Sequence, residues 1–427
     1  MSSEMKLRFG RKVISVDEAR AALYECVTTT EKEMVSLPRS FGRLLATDIY
    51  ADHAVPHFRR SGVDGYAVRS QDIAAATPDN PIVLDVIERI PSGTVPERTV
   101  QAGMAARIMT GAPVPDGADT VVMLEMTDCL CLQDESLLSL DAQDTKVKIK
   151  KNVQAASNIT PIAGEVNCGE LVIPQGTRIG PGEAAILATF GFSVVKVFRR
   201  PRVAIFSTGS ELLQVEQELQ PGKIRNSNSY MLAAQVEANG GEAFIMPALS
   251  DDPHQVEAAL GAVLPDVDLI LTSGGVSVGD YDVLVDVFGR FDGKILFNKV
   301  AMRPGTPTSA ALWKSKLLLA LSGNPGASFV GFELFAKPII RKMLGSHRPE
   351  AEELSAFLDI AYDKPSAYPR YIRGTTRVEA GCLWVRPAGI DKSSIMVSIK
   401  DADCLIWLPA GGQGYLRGDS VKVYTTR

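Results

Sequence analysis

Histidine is scarce in this sequence of 427 residues, which has four. Two of them, His53 and His57, stand four apart. Pro56 between them breaks the turn that would set both on one helical face, which argues against a helical zinc pair. Cysteine is nearly as scarce, six residues in all, and only Cys129 and Cys131 are close, on what reads as a strand. So few thiols in so long a chain do not make a disulfide scaffold and point to a reducing compartment. Long apolar runs are missing as well. None reaches membrane-spanning length, and the N-terminal stretch lacks the apolar core of a signal peptide, so the cytoplasm is the expected location. Charge of one sign is lacking too. A net −5 gives no footprint for nucleic acid or an anionic membrane as the main partner. There is no low-complexity tract and no clear repeat.

What is present is apolar: 45% of the residues, enough for sizeable cores in two to four domains. The stretch Pro265 to Asp282 organises the rest. Val267 to Leu271 is a short apolar run that reads as a strand buried on both faces of a parallel sheet. It turns through Thr272, Ser273, Gly274 and Gly275, passes Ser277, and reaches two carboxylates, Asp280 and Asp282, before a helical pattern to about Arg290. A strand, a glycine–hydroxyl loop and a helix start together offer backbone N–H groups to an anion. The acids suit a divalent cation that a phosphate could share, or else serve as ordinary caps of a strand-to-helix turn.

Taken in order, Ser15 to Tyr24 reads as a helix with capping-box spacing between Ser15 and Glu18. A strand from Glu33 is followed by a short helix around Gly42 to Ala46. Asp64, in Arg59 to Val68, is a turn former or a placed catalytic group. From Pro81 to Lys151 the text is β-rich and reads as a small inserted β domain, in which Thr110 tips a strand. Helices are expected over about Gly182 to Phe190 and Tyr230 to Asn239. From Pro201, strands at Val203–Phe206, Ala243–Ala248, Val267–Leu271 and Lys316–Leu321 alternate with helices, which implies right-handed crossovers and a parallel sheet. Ligands bind beyond the carboxyl ends of such strands. Four polar loops fall there: Ser207-Thr208-Gly209-Ser210-Glu211, Ser250-Asp251-Asp252-Pro253, the glycine loop, and Ser322-Gly323-Asn324-Pro325-Gly326. The segment Phe297 to Pro307 adds two cations, Lys299 and Arg303, suited to an oxyanion. Residues 345 to 427 read as a separate β domain.

Five segments together resemble the molybdopterin molybdenumtransferases, the family of bacterial MoeA and the gephyrin E domain. They are Val63-Asp64-Gly65-Tyr66-Ala67-Val68, Arg107 to Pro115, Ser207-Thr208-Gly209-Ser210-Glu211-Leu212, Ser273 to Gly279, and Gly323-Asn324-Pro325. Each alone is weak; their order and spacing over nearly the whole chain are specific.

The resemblance implies insertion of molybdate into adenylylated molybdopterin with Mg²⁺, releasing AMP and molybdenum cofactor. It implies a homodimer with sites built from both chains, and contact with the molybdopterin adenylyltransferase and other cofactor-biosynthesis proteins. The fold it implies is α/β plus all-β parts: a central parallel α/β sheet domain (8–27 and 199–344), an inserted β domain (51–154), a discontinuous linker-like domain (28–50 and 155–198) and a C-terminal β barrel (345–427). Asp64 and Thr110 would come from one chain, and Glu211, Asp282 and the glycine loop from the other. Asp282, with Asp280 as alternate, would bind the metal. Ser207, Thr208, Gly209, Asp251, Gly274, Gly275, Ser277, Lys299, Arg303, Ser322, Asn324 and Pro325 would bind substrate, with Arg370, Arg373 or Ser394 added from the C-terminal domain.

Several segments depart from the family's usual pattern: Ser210 replaces its Asp, Arg225-Asn226 its Tyr-Asp, Arg303 and Thr306 its two Lys, Ser322 its Pro, and Thr160 to Val166 its Arg-rich Gly-Glu-Asp segment. Molybdate and tungstate therefore stay open as the oxyanion, as does a non-catalytic scaffold role. A nucleotide hydrolase built on the central domain alone is disfavoured by the insert that carries Asp64 and Thr110.

Overall fold

The computed structural model describes residues 12–130, 145–250, 252–275, 287, 292–411 and 414–426. The chain forms two compact units, one of Met1–Thr47, Gln175–Leu187 and Phe192–Arg427, the other of Asp48–Pro174 and Ala188–Gly191.

In the larger unit, three apolar runs are buried almost end to end: Arg202–Ser207, Leu269–Ser273 and Lys316–Leu321. Runs of this kind need cover on both faces and make the middle of a parallel sheet. They do so here, in the order Glu242–Ile245, Arg202–Ser207, Leu269–Ser273, Lys316–Leu321, all parallel. The sheet then departs from the all-parallel expectation, because Ser309–Trp313 and Lys294–Phe297 extend it antiparallel. The cause is a two-residue hairpin at Lys314 and Ser315, with φ of 46° and 64°. Positive φ at both central residues is the turn whose twist matches paired strands. Neither residue is a glycine, so the turn carried no sequence signal.

The flanking helices are Val16–Glu25, Asn228–Ala238, Pro253–Val263 and the pair Pro325–Gly331 and Lys337–Met343, joined through a π-helical turn Phe332–Ala336. The capping box at Ser15 is formed: its hydroxyl accepts from the Glu18 amide at 3.1 Å and the Glu18 carboxylate accepts from the Ser15 amide at 2.6 Å. Asp252 accepts from the His254 amide at 2.9 Å and Pro253 sits at the first helical position, so this loop makes an ordinary helix start. The π turn places Glu333 and Lys337 in the core with side chains 5% and 2% exposed, 2.8 Å apart. Gln235 donates to Glu333 at 2.8 Å, and the Lys337 ammonium reaches the Thr426 carbonyl at 3.2 Å. A buried pair needs such further partners to offset its desolvation.

The short helix expected around Gly42 to Ala46 is absent. Leu44 and Leu45 bridge Arg178 and Val197 as extended backbone, and the Leu45 and Ala46 amides donate to Thr177 and Lys196. Five residues cannot recover the cost of nucleating a helix, and strand partners stand on both sides. Nearby, Lys32–Ser36 pairs antiparallel with Val194–Phe198. The C-terminal part is a closed barrel, in the order Glu353–Leu358, Cys382–Pro387, Arg370–Glu379, Cys404–Leu408, Ser420–Thr425.

The smaller unit is built on a six-stranded sheet: Thr120–Met123, Gly65–Val68, Met104–Ile108, Ile82–Ile90, Lys146–Ile149, Thr127–Cys129. Its strands alternate buried and exposed residues where one face meets solvent, as in Lys146–Ile149. Among the described residues of the chain, no helix is long and apolar enough to cross a membrane.

Candidate functional site

Beyond the carboxyl ends of the parallel strands lies a cavity of about 1080 Å³. Its wall is made by the ends of successive strands: Thr208 to Glu211 after the first, Gly274 and Gly275 after the second, Ser322 to Pro325 after the third. Arg303 to Pro307 and, from the barrel, Ser393 and Ser394 complete it. This is the crevice that strand order dictates in an open α/β sheet. Thus Thr208, Gly209, Gly274, Gly275, Arg303, Ser322, Asn324, Pro325 and Ser394, expected to bind substrate, and Glu211, expected to be catalytic, come together on one wall.

Other expected residues fall elsewhere. Ser207 is buried and accepts from Asn226 at 3.0 Å; it lines a smaller adjoining cavity of about 80 Å³ with Asn226, Asn228 and Ser273. Lys299 and Arg370 are not on the wall of either cavity. The Lys299 carbonyl accepts from the Ile14 amide at 3.2 Å, and the Arg370 guanidinium is turned to Asp391 at 3.4 Å. Asp251, Ser277, Asp280 and Asp282 lie outside the described residues.

Among the described residues the charges on the wall are sparse. The Arg303 guanidinium has no hydrogen bond or ion pair with any described residue, although its backbone is fixed on both sides: its amide donates to Pro369 and its carbonyl accepts from Tyr371, each at 2.8 Å. A cation fixed in place and left unpaired is suited to an anionic ligand. Behind the wall stands Arg373, 6% exposed. Burial pulls its pKa below the usual arginine value, with the Asp391 charge opposing. It donates to the Lys392 carbonyl at 3.1 Å, and its Nε is buried without a partner. Its Nη1 occupies the space a side chain at position 326 would need: a Cβ on Gly326 would lie 1.7 Å from it. Glu211 is the described carboxylate on the wall. It folds back over Gly209, whose φ of +135° and missing Cβ (one would stand 2.4 Å from a Glu211 oxygen) allow that approach.

Two cross-links tie the strand ends together. Asn228, at the start of its helix, donates to the Ser273 hydroxyl at 2.7 Å and to the Gly323 carbonyl at 2.8 Å, leaving its own Oδ1 buried without a partner. Asn226 joins Ser207 and Ser229. The sequence marks Asn226 only as a departure from a motif, and Asn228 and Ser393 were not among the expected site residues. Arg373 had a signal, a charged residue in the apolar strand run Tyr371-Ile372-Arg373.

In the smaller unit, pairing of Gly65 with Ile108 brings Asp64 and Thr110 together from neighbouring strands. Asp64 Oδ1 accepts from the Thr110 amide at 2.6 Å and its hydroxyl at 2.8 Å. The amide bond, then the hydroxyl bond, hold the Asp64 carboxyl below its usual pKa. The acid is therefore a placed, ionised and exposed group as well as the residue that leads its strand.

Among the described residues, no group of three or more His, Cys, Asp or Glu side chains is placed to hold a metal. What the wall offers a cation is the Glu211 carboxylate, with hydroxyls of Thr208, Ser210 and Ser322 nearby on the same wall. That hard-oxygen donor set suits Mg²⁺ shared with a substrate phosphate, since Mg²⁺ needs only one or two protein carboxylates in such sites.

Comparison with known proteins covers the chain from end to end. The model of the MoeA N-terminal region, domains I and II, matches residues 14–191; that of a probable molybdopterin binding domain matches 204–342; and that of the MoeA C-terminal region, domain IV, matches 356–426. The molybdopterin molybdenumtransferase of Bacillus subtilis is 42% identical over 417 residues, 98% of this chain and 95% of that protein. Its counterpart from Staphylococcus epidermidis is 38% identical over 416 residues, 97% and 96% of the two chains. The crystal structure of the molybdopterin biosynthesis MoeA protein from Pyrococcus horikoshii superposes with a TM-score of 0.81 at 29% identity, covering 97% of this chain and all of that one.

Proposed function

This chain belongs to the molybdopterin molybdenumtransferase family, and on that premise we propose that it transfers molybdate to adenylylated molybdopterin, releasing AMP, in the cytoplasm. The observation that carries the oxyanion half of this reading is Arg303, fixed by its backbone on the wall of a large cavity with no partner for its guanidinium among the described residues. Molybdate is a tetrahedral dianion of the kind a guanidinium fork grips at two points. Ser394 is the barrel's contribution to the wall in this reading, with Arg373 behind it; Arg370 and Lys299 are not on the wall. The glycine loop at Gly274 and the Ser322 to Pro325 loop would receive the phosphate and pterin parts of the second substrate.

Glu211 would hold Mg²⁺, together with Asp282 or Asp280 as the sequence suggests. When bound, the ion neutralises charge on the phosphoanhydride. The protein's own part is then positional. Arg303 orients the incoming oxyanion, Asn228 keeps two strand-end loops in register, and the cavity wall limits access of water to the anhydride. Asp64 and Thr110 would be supplied to this site by the second chain of a homodimer.

The test is direct. Purified protein is given adenylylated molybdopterin, Mg²⁺ and molybdate, AMP is followed by chromatography, and cofactor by reconstitution of a molybdenum enzyme that lacks it. AMP and active cofactor appearing together, and only with an oxyanion present, support the reading. Absence of AMP with molybdate and with tungstate overturns it.

A further inference from the structure

The loop from Gly389 to Met396 delivers Ser393 and Ser394 to the cavity, yet it has little apolar anchorage. Ile390 is 61% exposed and Met396 46%, and no regular structure runs through it before Val397. Of its apolar side chains only Ile395 is half-buried, so hydrophobic burial fixes Ser394 weakly and its position depends mainly on polar contacts. Three consecutive residues make them, to the helix Pro325–Gly331, to the barrel strand Arg370–Glu379 and to Tyr362. The Ser393 carbonyl accepts from the Gly326 amide at 2.8 Å. The Lys392 carbonyl accepts from Arg373 at 3.1 Å. The Asp391 carboxylate accepts from the Tyr362 hydroxyl at 2.5 Å and from Arg370 at 3.4 Å.

Asp391 is the strongest of the three. Its side chain is 15% exposed and also faces Lys364 at 3.9 Å, while Lys364 donates to its carbonyl at 3.3 Å. Tyr362 is itself buried, and the Arg370 guanidinium lies 5.8 Å from the centre of its ring. Hydrogen bonds to a charged acceptor in a half-buried site are worth more than neutral ones. Burial, and then the hydrogen bond and charge of Asp391, push the Tyr362 phenol well above its usual pKa, so it stays a proton donor at any working pH.

We propose that Asp391 is a positioning residue for oxyanion binding: clamped by Tyr362 and Arg370, it sets Ser393 and Ser394 against the cavity. This rests on the reading given under Proposed function. It also assigns a role to Arg370, which holds the loop rather than the ligand.

The experiment compares wild type with Asp391→Asn and Tyr362→Phe by two readouts. The first is amide hydrogen exchange in peptides covering 389–396 and the Gly326 amide, which needs no catalysis. The second is molybdate binding by calorimetry, with the molybdate and nucleotide KM values where AMP is released. In Asp391→Asn, exchange in both peptides should rise, and the molybdate dissociation constant should rise about tenfold, equivalent to about 1.4 kcal/mol. The KM for adenylylated molybdopterin should stay within about twofold, as expected for a site outside the shared contacts. Tyr362→Phe should move both readouts the same way by less. Ser394→Ala should weaken molybdate in wild type and add little in the Asp391→Asn background, because both changes remove the same contact.

Unchanged exchange overturns the proposal, and so does raised exchange with unchanged molybdate binding. Additive effects of Asp391→Asn and Ser394→Ala would show that Asp391 does not act through the loop's serines, and would also overturn it. Should wild type bind molybdate but release no AMP, the proposed reaction fails while exchange and calorimetry still decide the role of Asp391.

Discussion

Arg303 and Lys299 are four residues apart and were equal candidates for the oxyanion until their surroundings were known. Arg303 stands on the cavity wall and Lys299 does not. Arg303→Ala should raise the molybdate KM by roughly 10- to 100-fold, the equivalent of losing a charge-assisted contact worth about 1.5–3 kcal/mol. Lys299→Ala should leave it nearly unchanged, and steady-state AMP release at varied molybdate separates the two. Asp64 makes a prediction in pH. Its pKa is depressed from 3.8 in the folded chain by the Thr110 amide and then the Thr110 hydroxyl. A depressed carboxyl stabilises the fold above its unfolded pKa, and that contribution is lost as pH falls through the folded value. Melting curves taken downward from pH 5 should show wild type losing stability below about pH 4, and Asp64→Asn losing less over the same interval.

The helix Pro325–Gly331 and the barrel strand Arg370–Glu379 meet through a missing side chain. Gly326→Ala would put a methyl group where the Arg373 guanidinium lies, displacing it from Lys392 and Ser398, with which it is hydrogen-bonded. Overpacking of this kind costs roughly 1–3 kcal/mol. The double variant Gly326→Ala with Arg373→Ala should recover stability in urea without recovering molybdate affinity. A clash between elements this far apart in the chain is invisible in sequence, where Gly326 reads only as part of a glycine-rich turn. The same limit runs through the fold. The buried runs at Val203, Leu269 and Lys316 were legible because their composition is local, as were the Ser15 capping box and the Asp252 helix start. The antiparallel extension of the sheet was not, because Lys314 and Ser315 adopt positive φ without being glycine. The helix expected at Gly42 to Ala46 was mistaken because backbone bridges to Arg178 and to the strand Val194–Phe198 decide the matter. Most wall residues were legible from loop position alone. Asn228 and Arg373 act by reaching across the fold, and only coordinates reveal that.

At the scale of the whole molecule, the proposal that Asp64 serves the second chain of a dimer can be checked by mixing. Chains carrying Asp64→Asn and chains carrying Glu211→Gln should each be inactive as homodimers. After subunit exchange about half the dimers are mixed, each with one intact site, so activity should return to roughly a quarter of wild type for independent sites. Activity that stays near zero after exchange, confirmed by mass spectrometry of the mixed dimers, would put both acids in one chain. The path of the chain between its two units has a further consequence. It leaves the larger unit after Thr47 and returns at Gln175, and the two crossing segments lie side by side, with Leu44 bridging Arg178 and the Leu45 amide bonded to Thr177. To the larger unit, the stretch from Asp48 to Pro174 is polymer tied off at its base. Closing a loop that long rather than a four-residue turn is about five doublings, an entropic cost of about 3 kcal/mol, borne while the insert is unfolded and relieved once it folds and brings its own ends together. Folding of the smaller unit therefore acts as a splint for the larger, and a short turn grafted between Thr47 and Gln175 would do the same work without it.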